Sequence, residues 1–233
     1  MTQGTAVIIG AGRGLSASLA RKLAERGHPV VLGARNVAKL DDLVAETGAQ
    51  AVAVDGSDAP SMDALFAGID GRIDVAIYNP SARARAPVAD LDPEEVRRAL
   101  EVTAFGSFLL GRAAAGRMLA QDPVDGARGT ILFTGASAGV KGFAQSAPFA
   151  MGKFAQRGLA QSMARELHPQ GVHVAWVNID GGISNVARAE RTDDGTDNML
   201  DPDAIADAYL GLIDQHRSAW SNEIALRPWV ERF

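Results

Sequence analysis

Short apolar runs alternate along this chain with segments whose apolar residues recur every three or four positions. This alternation constrains the fold more than any other feature, because short apolar runs bounded by glycine are typical of buried parallel strands. The predicted strands are 6–9, 30–32, 51–54, 73–77, 130–133, 172–177 and 223–226. The predicted helices are 15–26, 38–46, 61–67, 93–120 as two helices, 149–167 and 202–215. The order predicts one α/β domain over residues 1–233, with a doubly wound parallel sheet of about seven strands and helices on both faces.

Length and composition agree with such a domain and exclude several kinds of site. The chain has 233 residues, of which 47% are hydrophobic, so it can fill a core without a metal or a disulfide. It has no cysteine, which excludes disulfide scaffolds, thiol nucleophiles and cysteine-ligated metals. The histidines are scattered along the chain, at positions 28, 168, 173 and 216, so we expect no metal site.

Charge and hydropathy argue against nucleic acids and membranes as partners. Lysine and arginine number 23 against 28 acidic residues, a net charge of -5, so no basic surplus attracts phosphate. No apolar run reaches the roughly 18 residues that a membrane helix needs. Residues 1–5 lack the basic and apolar regions of a signal peptide, and we therefore expect a cytoplasmic protein that acts on a small molecule.

Three glycines, Gly10, Gly12 and Gly14, lie between the first predicted strand and the first predicted helix. Glycine lets the backbone turn tightly and approach a pyrophosphate, and the helix start supplies N–H groups and the positive end of its dipole. The strand–turn–helix setting favours dinucleotide binding over a plain tight turn, which is the alternative interpretation.

The residue at position 35 helps to distinguish binding of NAD from binding of NADP. NAD-binding proteins carry a carboxylate about 20 residues after the glycine loop, where it binds a ribose hydroxyl. This chain has Ala34 and Arg35 there, which favours a 2′-phosphate and therefore NADP(H), with NAD(H) left open. Arg13, inside the glycine loop, is expected to lie beside Arg35 as a second cation. Alternatively, Arg35 is an exposed arginine at a helix start.

Taken in order along the chain, the motifs resemble those of the short-chain dehydrogenases/reductases, with a Rossmann-like fold. The stretch 10–16 resembles their T-G-x-x-x-G-x-G loop, with Ser16 in place of the third glycine. Asp55 matches their adenine-binding aspartate, and residues 74–81 resemble D-x-x-x-N-N-A-G. Residues 149–153 resemble the Y-x-x-x-K helix, and residues 180–182 resemble the P-G motif that follows strand six.

The resemblance implies a set of cofactor-binding residues and an assembly. The implied cofactor-binding residues are Gly10, Gly12, Arg13, Gly14, Leu15, Arg35, Asp55, Asn79, Lys153, Asp180, Gly181 and Ile183. Members of the family commonly form dimers or tetramers through two long helices, which correspond here to 96–120 and 149–167. We therefore expect a homodimer or a homotetramer.

The catalytic positions depart from the family pattern. The family tyrosine, which exchanges a proton with the substrate oxygen, corresponds to Phe149, and the family serine corresponds to Ala136. The family asparagine corresponds to Thr103, so that Lys153 is the one catalytic residue retained. A positioned acid typically contributes 10²–10⁴ in rate. Either the chain uses a different proton source, for which the candidates are Tyr78, Ser137, Ser146 and Lys153, or it uses none.

Three functions remain open at this point. The first is an NADP(H)-dependent oxidoreductase that acts on a carbonyl or another polarised double bond with an altered proton donor. The second is a cofactor-binding protein without redox turnover, and the third is a non-redox isomerase or cyclase. Loops at 81–90 and 184–201 are candidates for substrate contact. Their arginines, which indicate either an anionic substrate or a solvated surface, are Arg83, Arg85, Arg188 and Arg191.

Overall fold

The computed structural model describes residues 3–185 and 191–231, and their strands and helices alternate as predicted. The strands are β1 (Thr5–Ile9), β2 (Val30–Ala34), β3 (Gln50–Ala53), β4 (Ile73–Tyr78), β5 (Gly129–Thr134), β6 (Val172–Ile179), β7 (Gly182–Ile183), β8 (Met199–Leu200) and β9 (Glu223–Leu226). The helices are α1 (Leu15–Glu25), α2 (Asp41–Thr47), α3 (Ala59–Ala67), α4 (Pro93–Leu100), α5 (Gly106–Leu119), α6 (Ala147–Leu167) and α7 (Pro202–Ile213).

The main sheet has seven strands in the order β3-β2-β1-β4-β5-β6-β9, and all its neighbours pair in parallel. This confirms the predicted doubly wound parallel sheet. The strand order reverses between β1 and β4, and ligands of such sheets bind at the carboxyl ends of the strands beside that point. A short parallel pair, β7 with β8, was not predicted, because strands of two residues have no measurable periodicity.

Helices cover both faces of the sheet, and β1 contributes alternate side chains to the two cores. Ala6 and Ile8 pack into the core beneath α1, α2 and α7. Val7 and Ile9 pack into the core beneath α3, α5 and α6. All four side chains are almost completely inaccessible to solvent. Strand β1 is therefore anchored from both sides, and the glycine loop that follows it starts from a fixed position.

The segment 93–120 forms two helices, as predicted, and the two are joined by a π-helical turn at Glu101–Phe105. Such turns inside helices are frequent at functional sites. The turn places Thr103 in the interior, where its Oγ1 accepts a hydrogen bond of 3.1 Å from the Ala82 amide. The turn thus fixes the loop that leaves β4.

Within residues 3–185 and 191–231, no helix is long and apolar enough to cross a membrane. The same residues contain no group of three or more histidine or acidic side chains arranged to hold a metal ion.

Candidate functional site

The glycine loop forms a tight turn at the end of β1. Gly10 has φ +80, and a Cβ there would lie 2.7 Å from the Pro80 ring. Gly14 has φ +90 and precedes α1, whose first turn receives no hydrogen bond from a capping side chain. Both positive φ values favour glycine. The uncapped N–H groups of α1 therefore face the loop and are available to a phosphate.

Ser16 and Asn79 attach this loop to the neighbouring strand. The Ser16 hydroxyl donates to the Gly10 carbonyl at 3.1 Å, and the Asn79 side-chain amide donates to Ser16 Oγ at 2.6 Å. The Asn79 backbone amide donates to the Ile9 carbonyl at 3.0 Å. A serine in place of the third glycine thus holds the loop closed against β4.

One cavity of about 500 Å³, here called the Arg35 cavity, lies between the loop and the ends of β2 and β3. Asp55 lines it, and its carboxylate accepts hydrogen bonds from the Ser57 hydroxyl at 2.6 Å and the Ser57 amide at 2.9 Å. These bonds, and then the charge of Arg35, lower the pKa of Asp55. The cavity therefore contains both a cation and an ionised carboxylate.

The second cation of the Arg35 cavity is Lys39, which the sequence reasoning missed. Arg13, which was expected beside Arg35, lines an adjoining cavity of about 580 Å³ instead, and Lys39 lines both. Arg13 is thus not among the residues that line the Arg35 cavity, and its role as a second cation beside Arg35 stays a prediction. The available signal was a lysine four positions after Arg35, in the turn before α2.

A further cavity of about 250 Å³, here called the Lys153 cavity, lies at the carboxyl ends of β4, β5 and β6. Lys153 is 2% exposed, and its Nζ donates to the Thr134 carbonyl at 2.6 Å and to Gln156 Oε1 at 3.2 Å. Burial, and then the charge of Arg83, lower the pKa of Lys153 to about 7. Its amine is thus close to half protonated at neutral pH.

Gln156 connects Lys153 to the π-helical turn. Its Nε2 donates to Ser107 Oγ at 2.8 Å, and Ser107 in turn donates to the Thr103 carbonyl at 2.7 Å. Trp176 Nε1 donates to Gln156 Oε1 at 3.3 Å. Sequence reasoning missed Gln156, although a glutamine three residues after a lysine lies on the same helix face. Thr103 joins this hydrogen-bond network through its backbone carbonyl, while its hydroxyl accepts a hydrogen bond from the Ala82 amide.

Phe149 lies one helical turn before Lys153 and lines the same cavity. Its ring is buried, and the Arg83 guanidinium carbon lies 3.9 Å from the ring centroid. Ala136 contributes a methyl group to the cavity. The positions that the resemblance assigns to the tyrosine and the serine therefore lie together beside Lys153, and neither carries a hydroxyl.

Comparison with known proteins identifies the fold and the family. The family model described as short chain dehydrogenase matches residues 4–194. The chain belongs to this family. A solved short-chain dehydrogenase from Rhodopseudomonas palustris is 35% identical, with a TM-score of 0.82 and coverage of 97% of this chain and 99% of that chain.

Two further relatives also align over almost the whole of this short-chain dehydrogenase. A metagenomic short-chain oxidoreductase, solved in complex with NADP, is 30% identical, with a TM-score of 0.82 and 98% of each chain covered. An uncharacterized oxidoreductase from Staphylococcus epidermidis is 27% identical over 228 residues, which is 96% of each chain. The protein is thus an oxidoreductase of the short-chain dehydrogenase type.

Tyr78, one of the proposed substitutes for the family tyrosine, lies outside the Lys153 cavity. It lines the Arg35 cavity, where its hydroxyl donates to the Val102 carbonyl, and burial raises its pKa. Its buried side chain is committed to the π-helical turn, so we remove it from the candidate proton donors of this short-chain dehydrogenase.

Ser137 and Ser146 line an adjoining cavity of about 330 Å³, here called the Ser146 cavity. Arg83, Ala136 and Phe149 line both this cavity and the Lys153 cavity. The two serines therefore lie next to the space around Lys153, and both stay candidates for contact with a substrate.

Of the residues predicted after β6, Gly181 and Ile183 line the Lys153 cavity but Asp180 does not. The Asp180 carboxylate lies 3.5 Å from the Arg227 guanidinium and pairs with it. The Asp180 side chain thus pairs with the segment after β9, and its expected contact with the cofactor stays a prediction. Residues 186–190 of the predicted substrate loop, including Arg188, lie outside the described residues.

Proposed function

We propose that this short-chain dehydrogenase is an NADP(H)-dependent reductase of a carbonyl or another polarised double bond, with Lys153 as its proton donor. The observation that carries the proposal is the buried Lys153 amine, which lines one cavity together with Gly14 and Leu15 of the glycine-loop region. The metagenomic relative solved with NADP supports the choice of cofactor.

The chain's residues fit this dinucleotide. A Cβ at Gly12 would meet no atom within 4 Å, so the loop leaves open space in front of the uncapped start of α1. There Gly12 and Arg13 would bind the pyrophosphate, and Arg35 with Lys39 would bind the 2′-phosphate. The Asp55 carboxylate would accept a hydrogen bond from the adenine amino group. When bound, NADPH supplies the hydride.

Several residues of the Lys153 cavity would hold the nicotinamide end. We assign this role to Asn79, Gly181 and Ile183, which line the cavity from β4 and from the segment after β6. They combine polar backbone groups with an apolar side chain, as a flat and partly polar ring requires. In this assignment Lys153 remains free to serve the reacting oxygen.

The hydrogen bonds of Lys153 support its role as proton donor. An ammonium group has three N–H donors. Two of them donate hydrogen bonds, one to the Thr134 carbonyl and one to Gln156 Oε1. The third is available to a substrate oxygen in the cavity. After that proton is transferred, the neutral amine retains two N–H groups and still satisfies both partners. The pKa of about 7 matches the pH at which a general acid works best.

The loop at 184–201 is assigned to substrate contact, as the sequence predicted. Ser184, Asn185 and Arg191 line the Lys153 cavity from the described ends of this loop. The described ends of the loop thus lie at the cavity, so a change of loop sequence would alter the substrate without changing the fold.

A homodimer or homotetramer through α5 and α6 is also proposed. Several large apolar side chains on or beside these helices are exposed: Phe105 (46%), Phe108 (44%), Met151 (50%) and Phe154 (45%). Exposed apolar surface of this kind is favourable to bury against a second copy of the chain. Light scattering should give two or four chain masses at micromolar concentration, and one chain mass would contradict the assignment.

The decisive experiment separates cofactor binding from turnover. The protein is titrated with NADPH and with NADH, and the oxidation of NADPH is then followed with a panel of ketones, aldehydes and enones. We expect tighter binding of NADPH and a rate that falls as the pH rises through about 7, since Lys153 donates only when protonated. Binding without oxidation would favour a cofactor-binding protein, and absence of binding would contradict the proposal.

A further inference from the structure

Arg83 occupies the junction between the Lys153 cavity and the Ser146 cavity, both of which it lines. Its guanidinium carbon lies 3.9 Å from the centroid of the Phe149 ring. A guanidinium stacked on an aromatic face keeps its N–H groups at its edge, and these can bind a carboxylate with two parallel hydrogen bonds. The phenyl ring of Phe149 thus packs against the Arg83 guanidinium and orients it, a role that requires no hydroxyl.

The described lining of the two cavities concentrates positive charge. Arg83, Arg85, Arg191 and Arg13 line one or both of them, together with Lys153, and none of the described lining residues is acidic. Among the described residues, neither Arg83 nor Arg85 nor Arg191 has a carboxylate within salt-bridge distance. This differs from the pairing of other arginines, such as Arg157 with Glu223 at 2.8 Å.

The positive charge of this cluster favours an anionic ligand. Partial burial, and then the charges of Arg191 and Arg85, lower the pKa of Arg83. Like charges at close range repel one another. A bound anion would offset the repulsion, and the cavities of about 250 and 330 Å³ that meet at Arg83 set a small size for it.

We propose that the substrate is a small oxo acid, whose carboxylate binds the edge of the Arg83 guanidinium while its carbonyl oxygen accepts a proton from Lys153. This inference rests on the proposed function and names its substrate class. The carbonyl is reduced to an alcohol as NADPH is oxidised to NADP⁺, the hydride going to carbon and the Lys153 proton to oxygen. The lysine then regains its proton from solvent, and the product is a hydroxy acid.

The same geometry couples substrate binding to proton donation. Arg83 is the second cause, after burial, of the low pKa of Lys153. A carboxylate bound to Arg83 would neutralise part of that charge, so that the fraction of protonated Lys153 rises when the substrate is in place. A neutral ketone would form no ion pair with Arg83 and would not raise the protonated fraction of Lys153. Both differences favour the acid as substrate.

The test compares acids with their own methyl esters: pyruvate, acetoacetate and levulinate against the three esters, with NADPH oxidation as the readout. In at least one pair we expect kcat/KM for the acid to exceed that for the ester by about tenfold or more. Arg83→Gln should reduce this preference by about ten- to a hundredfold, the usual effect of losing a charge-assisted contact. Arg83→Lys, which lacks the planar fork, should recover only part of it.

Arg98→Gln provides the matched control, since Arg98 is an exposed arginine of α4 that lines none of these cavities. It should leave the preference for the acid unchanged. Melting temperatures of all variants should agree, because Arg83 lies at the surface. Equal rates with acid and ester, unaffected by Arg83→Gln, would overturn the inference while leaving the reductase function intact.

A second readout does not depend on turnover. Saturation-transfer NMR measures binding of each acid and its ester to wild type and to Arg83→Gln, with and without NADPH. If the acid binds only when Arg83 is present and NADPH is not oxidised, the reductase function is contradicted and the anion site is supported. Equal binding of acid and ester to both proteins would eliminate the anion site.

Discussion

The Arg35 cavity and the Lys153 cavity lie at the same edge of the sheet, but they differ in how their charges are balanced. In the Arg35 cavity the Asp55 carboxylate lies close enough to Arg35 for the guanidinium to lower its pKa. In the Lys153 cavity every described ionisable lining group is a cation, and the ring of Phe149 forms part of the lining. The difference supports our proposals that the first region binds a ligand with mixed charge and that the second binds an anion.

The largest effect should come from removing the amine of the Lys153 cavity. Lys153→Met retains the length of the side chain but has no proton to donate, so we expect kcat to fall by about 10²–10⁴. Lys153→Arg should be nearly as inactive, because a guanidinium does not release its proton near neutral pH. Stopped-flow oxidation of NADPH measures both variants. A Met variant that keeps more than a third of the wild-type kcat would assign the proton to another group.

The next effect compares two glycines of the same loop. Gly10→Ala introduces a Cβ 2.7 Å from the Pro80 ring at a positive φ, so the free energy of unfolding should fall by about 2–4 kcal/mol. Gly12→Ala meets no atom within 4 Å, so it should leave stability within about 0.5 kcal/mol and weaken NADPH binding alone. Denaturant titration and NADPH titration separate the two. Equal stability of the two variants would contradict the geometry of the turn.

The third prediction adds hydroxyls at positions 149 and 136 of the Lys153 cavity. Phe149→Tyr supplies a phenol one helical turn before Lys153, and Ala136→Ser supplies a hydroxyl for the substrate oxygen. Because such groups act as a unit, the double variant should exceed either single variant, by up to about a hundredfold in the reduction of simple ketones. The rates of ketone reduction are compared, and NADPH affinity is measured for each variant as the control. Additive or absent gains at unchanged affinity would show that the two positions do not cooperate.

The smallest effect concerns the cation of the Arg35 cavity. Arg35→Ala removes a charge-assisted contact to the 2′-phosphate, and NADPH affinity should fall about ten- to a hundredfold while NADH affinity stays constant. Isothermal titration with both dinucleotides measures the change. Lys39→Ala, which removes the second cation of the same cavity, should give a smaller loss of the same sign. Wild-type protein that binds NADH as tightly as NADPH would refute the assignment.

Elements and motifs that depend on local sequence were predicted from it directly. The seven strands of the main sheet and the glycine loop follow from periodicity and spacing, because the pattern of apolar residues along a short segment indicates which face is buried. The Phe149–Lys153 pair followed from the resemblance to the family's Y-x-x-x-K helix. The family and its fold followed from the order of these motifs, and the match over residues 4–194 confirms them. The catalytic roles of Phe149, Ala136 and Thr103 remain predictions.

The direction of individual side chains was decided only by the tertiary structure. The Tyr78 hydroxyl contacts the π-helical turn, Asp180 pairs with Arg227, and Arg13 does not line the Arg35 cavity. Contacts such as Gln156 with Ser107, which are 49 residues apart, depend on how neighbouring helices pack. Periodicity reports whether a residue is buried and not which distant residue it meets, since that depends on strand order and loop path. The sequence therefore determined the sheet and the loop, whereas the packing of α6 against β6 and the paths of the loops decided which side chains line the Lys153 cavity.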